Sequence, residues 1–413
     1  MNEQIRTAVI GGGASGLTAA IFAAHSGAQV TLFEKQNRTG RKISASGNGR
    51  CNITNSDITP WKYHGKNPSF AEKVLSEFSP QDTSDFFSSI GIPFIEERGG
   101  RVFPMSLEAS SVAYLLELEA VSNGVEIHLS RKIESLQKKE NLFIVRTAGK
   151  ESFTFDSVIL SCGSIAFKTL GGTDSGYTLA SRAGHTVIEP FPAILPVNIP
   201  LKSIHRLQGI KWNCGLKVKL GKKTVSSSSG EVLFTAYGLS GPASLDISRD
   251  VNLAVISRKK PLIELDFFPD TSYNELRTLI SKLAFKDNRS IKTSLSGLIK
   301  NRIPEFAALR AGLNHNSPSM ALTETDIDSL TFSFKNQVLE PGKPRPMSEA
   351  VVAAGGISSD EINPFTMESK ILKGLYITGE LIDIDGDSGG YNLQFAWSTG
   401  AIAGRSQKIK KGS

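Results

Sequence analysis

The stretch AVIGGGASGLTAAIFAAHSGAQVTLFEK, Ala8 to Lys35, restricts the fold more than any other part of the chain. Thr7–Ile10 reads as a short buried strand. Gly11, Gly13 and Gly16 then supply a G-x-G-x-x-G turn, and Ser15–Ser26 is a helix rich in alanine and leucine. Val30–Phe33 is the next strand, with Glu34 at its end. So bare a backbone lets a pyrophosphate approach the chain and rest on a helix N-terminus. Strand, turn, helix, strand and terminal acid occur in the order a dinucleotide site requires, which tight turns alone do not need. Glu34 is placed to accept hydrogen bonds from a ribose, and its carboxylate would repel a 2′-phosphate. The ligand expected is FAD or NAD, not NADP. Gly11, Gly13, Ala14, Ser15, Gly16, Glu34 and Lys35 are the first candidate cofactor contacts.

At 413 residues the chain is long for one domain, and two or three are expected. No apolar run reaches the length of a membrane span, and the first apolar stretch is broken by the glycine turn, unlike a signal peptide. Cys51, Cys162 and Cys214 lie far apart and form no C-x-x-C pair. Neither a disulfide framework nor a zinc site is suggested, and a reducing cytoplasm is the expected location. The net charge of +7 is unevenly spread: Lys202, Arg206, Lys211, Lys217, Lys219, Lys222 and Lys223 fall together with no acid among them. Such a patch can meet nucleic acid or an anionic substrate. Alternation in LKVKL (Leu216–Leu220) instead favours a solvated strand face with apolar residues behind. No aromatic-interleaved RNA motif accompanies it, so nucleic acid is not the expected partner.

Along the chain, strands and helices alternate to about Pro192. Strands are expected at Val125–Leu129, Leu142–Arg146 and Ser157–Cys162, and helices near Phe70–Phe78 and Ala109–Asn123. SVILSCGS is a buried strand leaving through Gly163, a further candidate cofactor contact. From Ala193 short alternating runs separated by Gly, Ser and Pro suggest a small antiparallel barrel or sandwich, with VSSSSGEV as a hairpin loop. Asn274–Leu313 reads as mostly helical, ALTETDIDSL as a further helix, and LTFSFKN as a return to strand. After Pro341 the α/β texture resumes, with a strand at Leu375–Thr378 and a helix of small residues from Leu393. An α/β unit interrupted by an insert and completed by the C-terminus fits FAD proteins of the glutathione-reductase superfamily better than NAD dehydrogenases. FAD is the cofactor expected.

Four long motifs carry a more specific resemblance: GRKISASGNGRCNITN (Gly40–Asn55), ERGGRVFPMS, GEVLFTAYGLSGPA and TMESKILKGLYITGELIDIDGDSGGYNLQFAWSTG. Together they closely resemble the bacterial BaiN-like or YhiN-like flavoproteins, also known as aminoacetone-oxidase-family FAD-binding proteins, over essentially the whole chain. The resemblance implies an α/β, Rossmann-like FAD-binding domain in two segments (1–192 and 341–413). It also implies an inserted antiparallel β-barrel (193–272 and 325–340) and a small helical subdomain (273–324). It places Arg41 and Lys42 near the phosphates and Ser46, Gly47, Asn48, Gly49, Arg50, Cys51 and Asn52 along the flavin. Gly47 and Gly49 permit a loop to pass close to a planar ring. Arg50 can equally brace the loop, Asn52 can cap a turn, and Cys51, with no second cysteine near it, reads as a packed, inert thiol. Gly379, Glu380, Gly389, Gly390, Tyr391, Asn392 and Leu393 resemble the segment that closes such sites. There Glu380 would bond ribityl hydroxyls, and amides at a helix start would stabilise charge at the pyrimidine end. Asp383, Asp385 and Asp387 lack a following glutamate at EF-hand spacing, so no metal is expected. The chain departs from the family pattern at SEAVVAAGG (Ser348–Gly356), where many relatives carry AQVTAGG.

The expected activity is an FAD-dependent oxidoreductase passing a hydride between flavin N5 and a small organic molecule, with the barrel roofing the cavity. Asn52, Arg101 and Tyr391 are the candidate catalytic residues; Arg101 would orient a polar substrate, or form a structural salt bridge. His64, His128 and His185 stand isolated in the sequence and read as solvent-facing or packed. With a single dinucleotide fingerprint, NAD(P)H would bind transiently at the flavin face or another donor would replace it. The family implies two chemistries, reduction of a steroid-type enone and oxygen-dependent oxidation of an amino-ketone, and the GNGRCN variant favours reduction. A flavin-carrying RNA-binding protein is the competing class.

Overall fold

The structure, a computed structural model, describes residues 4–97, 99–300 and 302–408. It divides into two compact units, Met1–Phe191 with Met347–Ser413, and Pro192–Pro346. In the first unit the chain opens with β1 (Arg6–Ile10), α1 (Ala14–His25) and β2 (Gln29–Phe33). The last four residues of β1 are all buried, as a parallel strand covered on both faces requires. Further along come β3 (Tyr63–His64), β4 (Glu126–His128), β5 (Ser157–Leu160) and α2 (Ser175–Arg182).

The inserted unit carries a six-stranded antiparallel sheet. Its centre is β6 (Lys211–Leu220) paired with β7 (Lys223–Thr235), flanked by β8 (Leu262–Asp266). Two sequence readings fail here. VSSSSGEV is not a hairpin loop, because β7 runs straight through it. Ser226–Ser229 pair with residues 215–218, and the turn is two residues long, with Gly221 at φ +60°. Serine clusters read as linker only when no partner strand is in view. LTFSFKN is not a strand either, since most of it ends α3 (Glu324–Lys335). Thr323 and Asp326 form a reciprocal capping box at its start, and Ile327, Leu330, Thr331 and Phe334 are buried at helical spacing. The apparent two-residue alternation of Leu330, Phe332 and Phe334 masks that stripe, and Phe332 faces solvent. The lysine reading of β6 is matched by the geometry: Cys214, Leu216 and Val218 are buried while Lys217 is exposed.

The C-terminal segment returns to the first unit with β9 (Val352–Ile357), β10 (Leu375–Ile377), β11 (Asp385–Gly386) and α4 (Tyr391–Arg405). β10 joins the N-terminal strands in a five-stranded sheet of order β10-β5-β1-β2-β4, parallel throughout. α4 lies against α1. A Cβ on Gly400 would come within 2.4 Å of the Ser15 carbonyl, and one on Gly404 within 2.6 Å of that of Ala19, so glycine sets how closely the helices approach. Polar ties hold the chain's last helix to its early loops. Trp397 Nε1 donates to the Ile53 carbonyl (2.9 Å), and Gln394 joins Thr54 (2.6 Å) to Thr83 (2.7 Å).

Candidate flavin site

At the first turn, two glycines are required by packing and one by open space. Gly11 has φ +111°, and a Cβ there would lie 2.4 Å from the Ser161 carbonyl; one on Gly16 would lie 1.8 Å from that of Gly11. Nothing lies within 4 Å of the corresponding position on Gly13, which starts α1 with no capping side chain. The first-turn N–H groups therefore face an open cradle, a ready anion site. Glu34 is fixed rather than free. Its two oxygens accept from the N–H groups of Gly12 (2.7 Å) and Gln36 (2.8 Å), and each keeps a lone pair for a ribose. Beyond it a cavity of about 440 Å³ is lined by Lys35, Arg131, Lys132, Gly149 and Glu151 among others. Burial lowers the Lys35 pKa, against the opposing pull of Glu34.

Residues 46–52 form the second wall. Gly47, Asn48, Gly49 and Cys51 all have left-handed backbones, φ +57°, +56°, +82° and +60°. A Cβ on Gly47 would meet Asn52 N at 2.9 Å, whereas the position on Gly49 faces open space. Ser46 Oγ donates to the Ile43 carbonyl (2.7 Å). Arg50 turns away to brace the loop, pairing with Glu97 (2.8 Å) over the Phe103 ring (4.3 Å). Cys51 is buried, and desolvation pushes its thiol up to about 12, as expected of an inert group. Asn52 Oδ1 is buried with no hydrogen-bond partner among the described residues. Arg41 bonds Gln36 and the Thr169 carbonyl (3.3 Å), and Lys42 pairs with Glu380 (2.5 Å).

The C-terminal wall meets these two. Glu380 also accepts from the Ala353 N–H (3.1 Å), and Gly379 (φ +68°) abuts Ser15 Oγ. Gly389 and Gly390 (φ +128° and +106°) lead into α4, which likewise has no capping side chain. A Cβ on Gly390 would sit 3.1 Å from Asn52 Oδ1, and one on Gly389 3.8 Å from Arg101 Nε, so both residues border this helix start. Tyr391 is packed: its ring lies edge-on to Tyr63 and its hydroxyl reaches the Asp57 carbonyl (3.4 Å). The Asn392 side chain bonds both the N–H (2.8 Å) and the carbonyl (2.7 Å) of Gly386, and Leu393 packs on the core. Gly163 (φ +68°) faces open space. The aspartates are spent internally: Asp383 accepts from the Lys66 N–H (2.8 Å), and Asp387 pairs with His64 and Lys62. No group of residues able to hold a metal occurs among the described residues.

The sequence reading missed two features. His64 is not isolated, since Asp387 lies 2.7 Å from its ring; nothing local in the chain signals a pairing across 323 positions. Tyr177, on α2, is buried, and its hydroxyl nears the Ile165 backbone without closing a hydrogen bond. The neighbouring Glu380 charge adds to burial in raising its pKa. Unpaired buried atoms on Asn52 and Tyr177, with open glycine positions at 13, 49 and 163, fit a long, part-planar, polar group such as FAD.

Over residues 5–406 the chain matches the family model described as HI0933-like protein Rossmann domain. It is 37% identical to the 3-dehydro-bile acid delta(4,6)-reductase of Clostridium scindens, covering 97% of this chain and 98% of that one. It is 28% identical to the ribosomal RNA dihydrouridine synthase of Haemophilus influenzae, covering 97% of each. Among solved structures, 3-ketosteroid delta1-dehydrogenase from Sterolibacterium denitrificans shares the fold, with TM-score 0.51, 12% identity, and coverage of 98% of this chain and 99% of that one. The chain is thus an FAD-dependent oxidoreductase of α/β Rossmann type, and it belongs to the HI0933-like Rossmann-domain family.

Proposed function

We propose that this protein reduces a carbon–carbon double bond conjugated to a carbonyl, using FAD recharged by NAD(P)H. The observation that carries it is that relatives with unlike substrates, a bile acid and a ribosomal RNA, are both named for saturating such a bond. A bound flavin would supply the hydride; the rest falls to this chain's side chains and amides. The Gly11–Gly16 turn would hold the pyrophosphate, Glu34 the ribose, and the cavity beside Lys35 the adenine. Lys42 and Glu380 would hold the ribityl chain. Asn52 and the amides at the start of α4 would bond the pyrimidine end, and Arg101 would orient the substrate carbonyl. The six-stranded sheet with the helices after it would be the barrel and helical subdomain. Cys51, Cys162 and Cys214 are all free thiols, which fits a reducing compartment.

A second reading, an RNA uracil as substrate, is favoured by the charge of the inserted unit. Residues 192–346 hold 22 Lys and Arg against 13 Asp and Glu, while the rest of the chain holds 25 against 27. The lysines of β6 argue the other way, since Lys211 faces Glu231 (3.3 Å) and Lys219 faces Glu264 (3.7 Å). Anaerobic mixing of the holoenzyme with NADH or NADPH, then with enones or a ribosomal RNA fragment, tests both. We expect a nicotinamide to bleach the flavin and an enone to restore its colour. Restoration by RNA alone selects the second reading. Failure of both nicotinamides, or peroxide formed from an amine, removes the reductase reading.

A further inference from the structure

Saturating a conjugated bond takes a proton as well as a hydride, and the residues assigned so far include no acid for it. Of the described histidines in the cofactor-binding unit, His25 sits at the surface 3.7 Å from Glu119, and His128 bonds Glu126 and packs on Phe33. His185 has both ring nitrogens bonded inside the protein, to Glu361 (3.0 Å) and Ser369 (2.8 Å). His64 is built differently. It lies on β3, which pairs antiparallel with β11, His64 opposite Asp385 and Tyr63 opposite Gly386. Tyr63 turns inward and donates to the Tyr391 carbonyl (3.0 Å), so His64 projects from the other face of the strand. There its Nε2 meets Asp387 Oδ1 at 2.7 Å, with the ring 29% exposed and Nδ1 without a partner among the described residues. Asp387 stands three residues before Gly390, and Asn392 ties the intervening loop to the first turn of α4. The His–Asp pair is thereby anchored to the helix start assigned above to the flavin's pyrimidine end.

We propose that His64, oriented by Asp387, delivers the proton of the reduction; this rests on the reductase reading. The hydride forms a C–H bond at the carbon β to the carbonyl as the π bond breaks. The proton leaving His64 Nδ1 forms the second C–H bond at the α carbon. NAD(P)H supplies the electron pair, and solvent reprotonates the ring. Asp387 plays the orienting role a carboxylate has toward a catalytic imidazole, fixing its tautomer and stabilising its cationic form. The other titratable groups around the ladder are Lys62, on Asp387 Oδ2 at 3.2 Å, with Tyr63, Lys66, Asp383, Asp385 and Tyr391. Burial raises the Tyr63 pKa, so that hydroxyl stays protonated.

Holoenzyme reduced with dithionite and mixed anaerobically with 2-cyclohexen-1-one or a 4-en-3-one steroid reads the step alone. In His64→Gln we expect reoxidation to slow about 10²-fold and its decline with rising pH to vanish. FAD content and Tm, measured beside it, check that the fold is kept. In Asp387→Asn we expect a smaller loss, with the dependence on pH kept. Wild-type reoxidation rates in His64→Gln, or an equal slowing at every pH, overturn the proposal alone. A wild-type enzyme that no enone reoxidises overturns the reductase reading and takes the proposal with it.

Discussion

The helices α1 and α4 both start at a glycine, both lack a capping side chain, and both border the same candidate site. They reach that geometry by opposite routes. The turn that starts α1 is built largely from Arg6–Glu34: the Gly11 N–H bonds the Phe33 carbonyl (2.8 Å), the Gly12 N–H bonds Glu34 (2.7 Å), and Gly16 packs on Gly11, with Ser161 and Gly379 closing on it from farther along the chain. The start of α4 is set from far away. Asn55 donates to the Gly389 carbonyl (2.9 Å), Tyr63 to that of Tyr391, and Trp397 to that of Ile53, across 328 to 344 positions. A local nucleus forms at small loop-closure cost, whereas the second wall must wait until the chain has closed on itself. Half of this site is a local motif and half is a product of the whole fold.

The contrast is easiest to break at its tightest point. Gly16→Val drives a side chain into the Gly11 carbonyl, and we expect a loss of about 3 kcal/mol or more, read as a fall in Tm with no FAD retained. Trp397→Phe leaves the Ile53 carbonyl buried without its donor, which costs about 1–3 kcal/mol. Hydrogen exchange would sharpen the point, because protection should fall in 51–55 and α4 and persist in β1 and α1.

Acid should also select the C-terminal arm. Burial lowers the His185 pKa, and its bonds to Glu361 and Ser369 hold the segment that leads into β10. A depressed pKa means that the unfolded chain binds the proton first. Stability is then complete above pH 6.5, the ordinary histidine value, and falls as pH drops below it, by at most about 1.4 kcal/mol per pH unit. Urea titrations of His185→Gln should show a flatter pH dependence there. The smallest effect belongs to Asn52→Ala. Removing an unpaired buried oxygen should leave apoprotein stability within about 1 kcal/mol of wild type or raise it, while FAD affinity falls five- to tenfold. A variant that loses stability and keeps its affinity would refute the place given to Asn52.

How far the chain could be read in advance follows the same division. Glu34 at the end of β2 and the role of Gly16 could be inferred because strand, turn and helix are contiguous. Lys217 was placed on an exposed strand face by alternation alone. Ser226–Ser229 misled because a serine run has no periodicity and becomes strand only beside β6. Leu330–Phe334 misled because Leu330, Phe332 and Phe334 alternate like a strand while Ile327, Leu330, Thr331 and Phe334 keep a helical stripe, and the Thr323 cap decides between them. For Arg50 the resemblance left flavin contact and loop bracing both open, and Glu97 and Phe103, which it meets in the fold, are neighbours only in space.

By itself the sequence determined the βαβ opening, because that depends on residue type at short, fixed spacing, and the cofactor and family, because those follow from the order of segments and from long motifs read residue by residue. Tertiary structure alone decided that Asn52 borders the start of α4, that Tyr177 lies beside Glu380, and that Asp387 orients His64. Such juxtapositions arise when chain segments hundreds of residues apart are packed together to bury apolar surface, and that packing leaves no periodic trace in either segment.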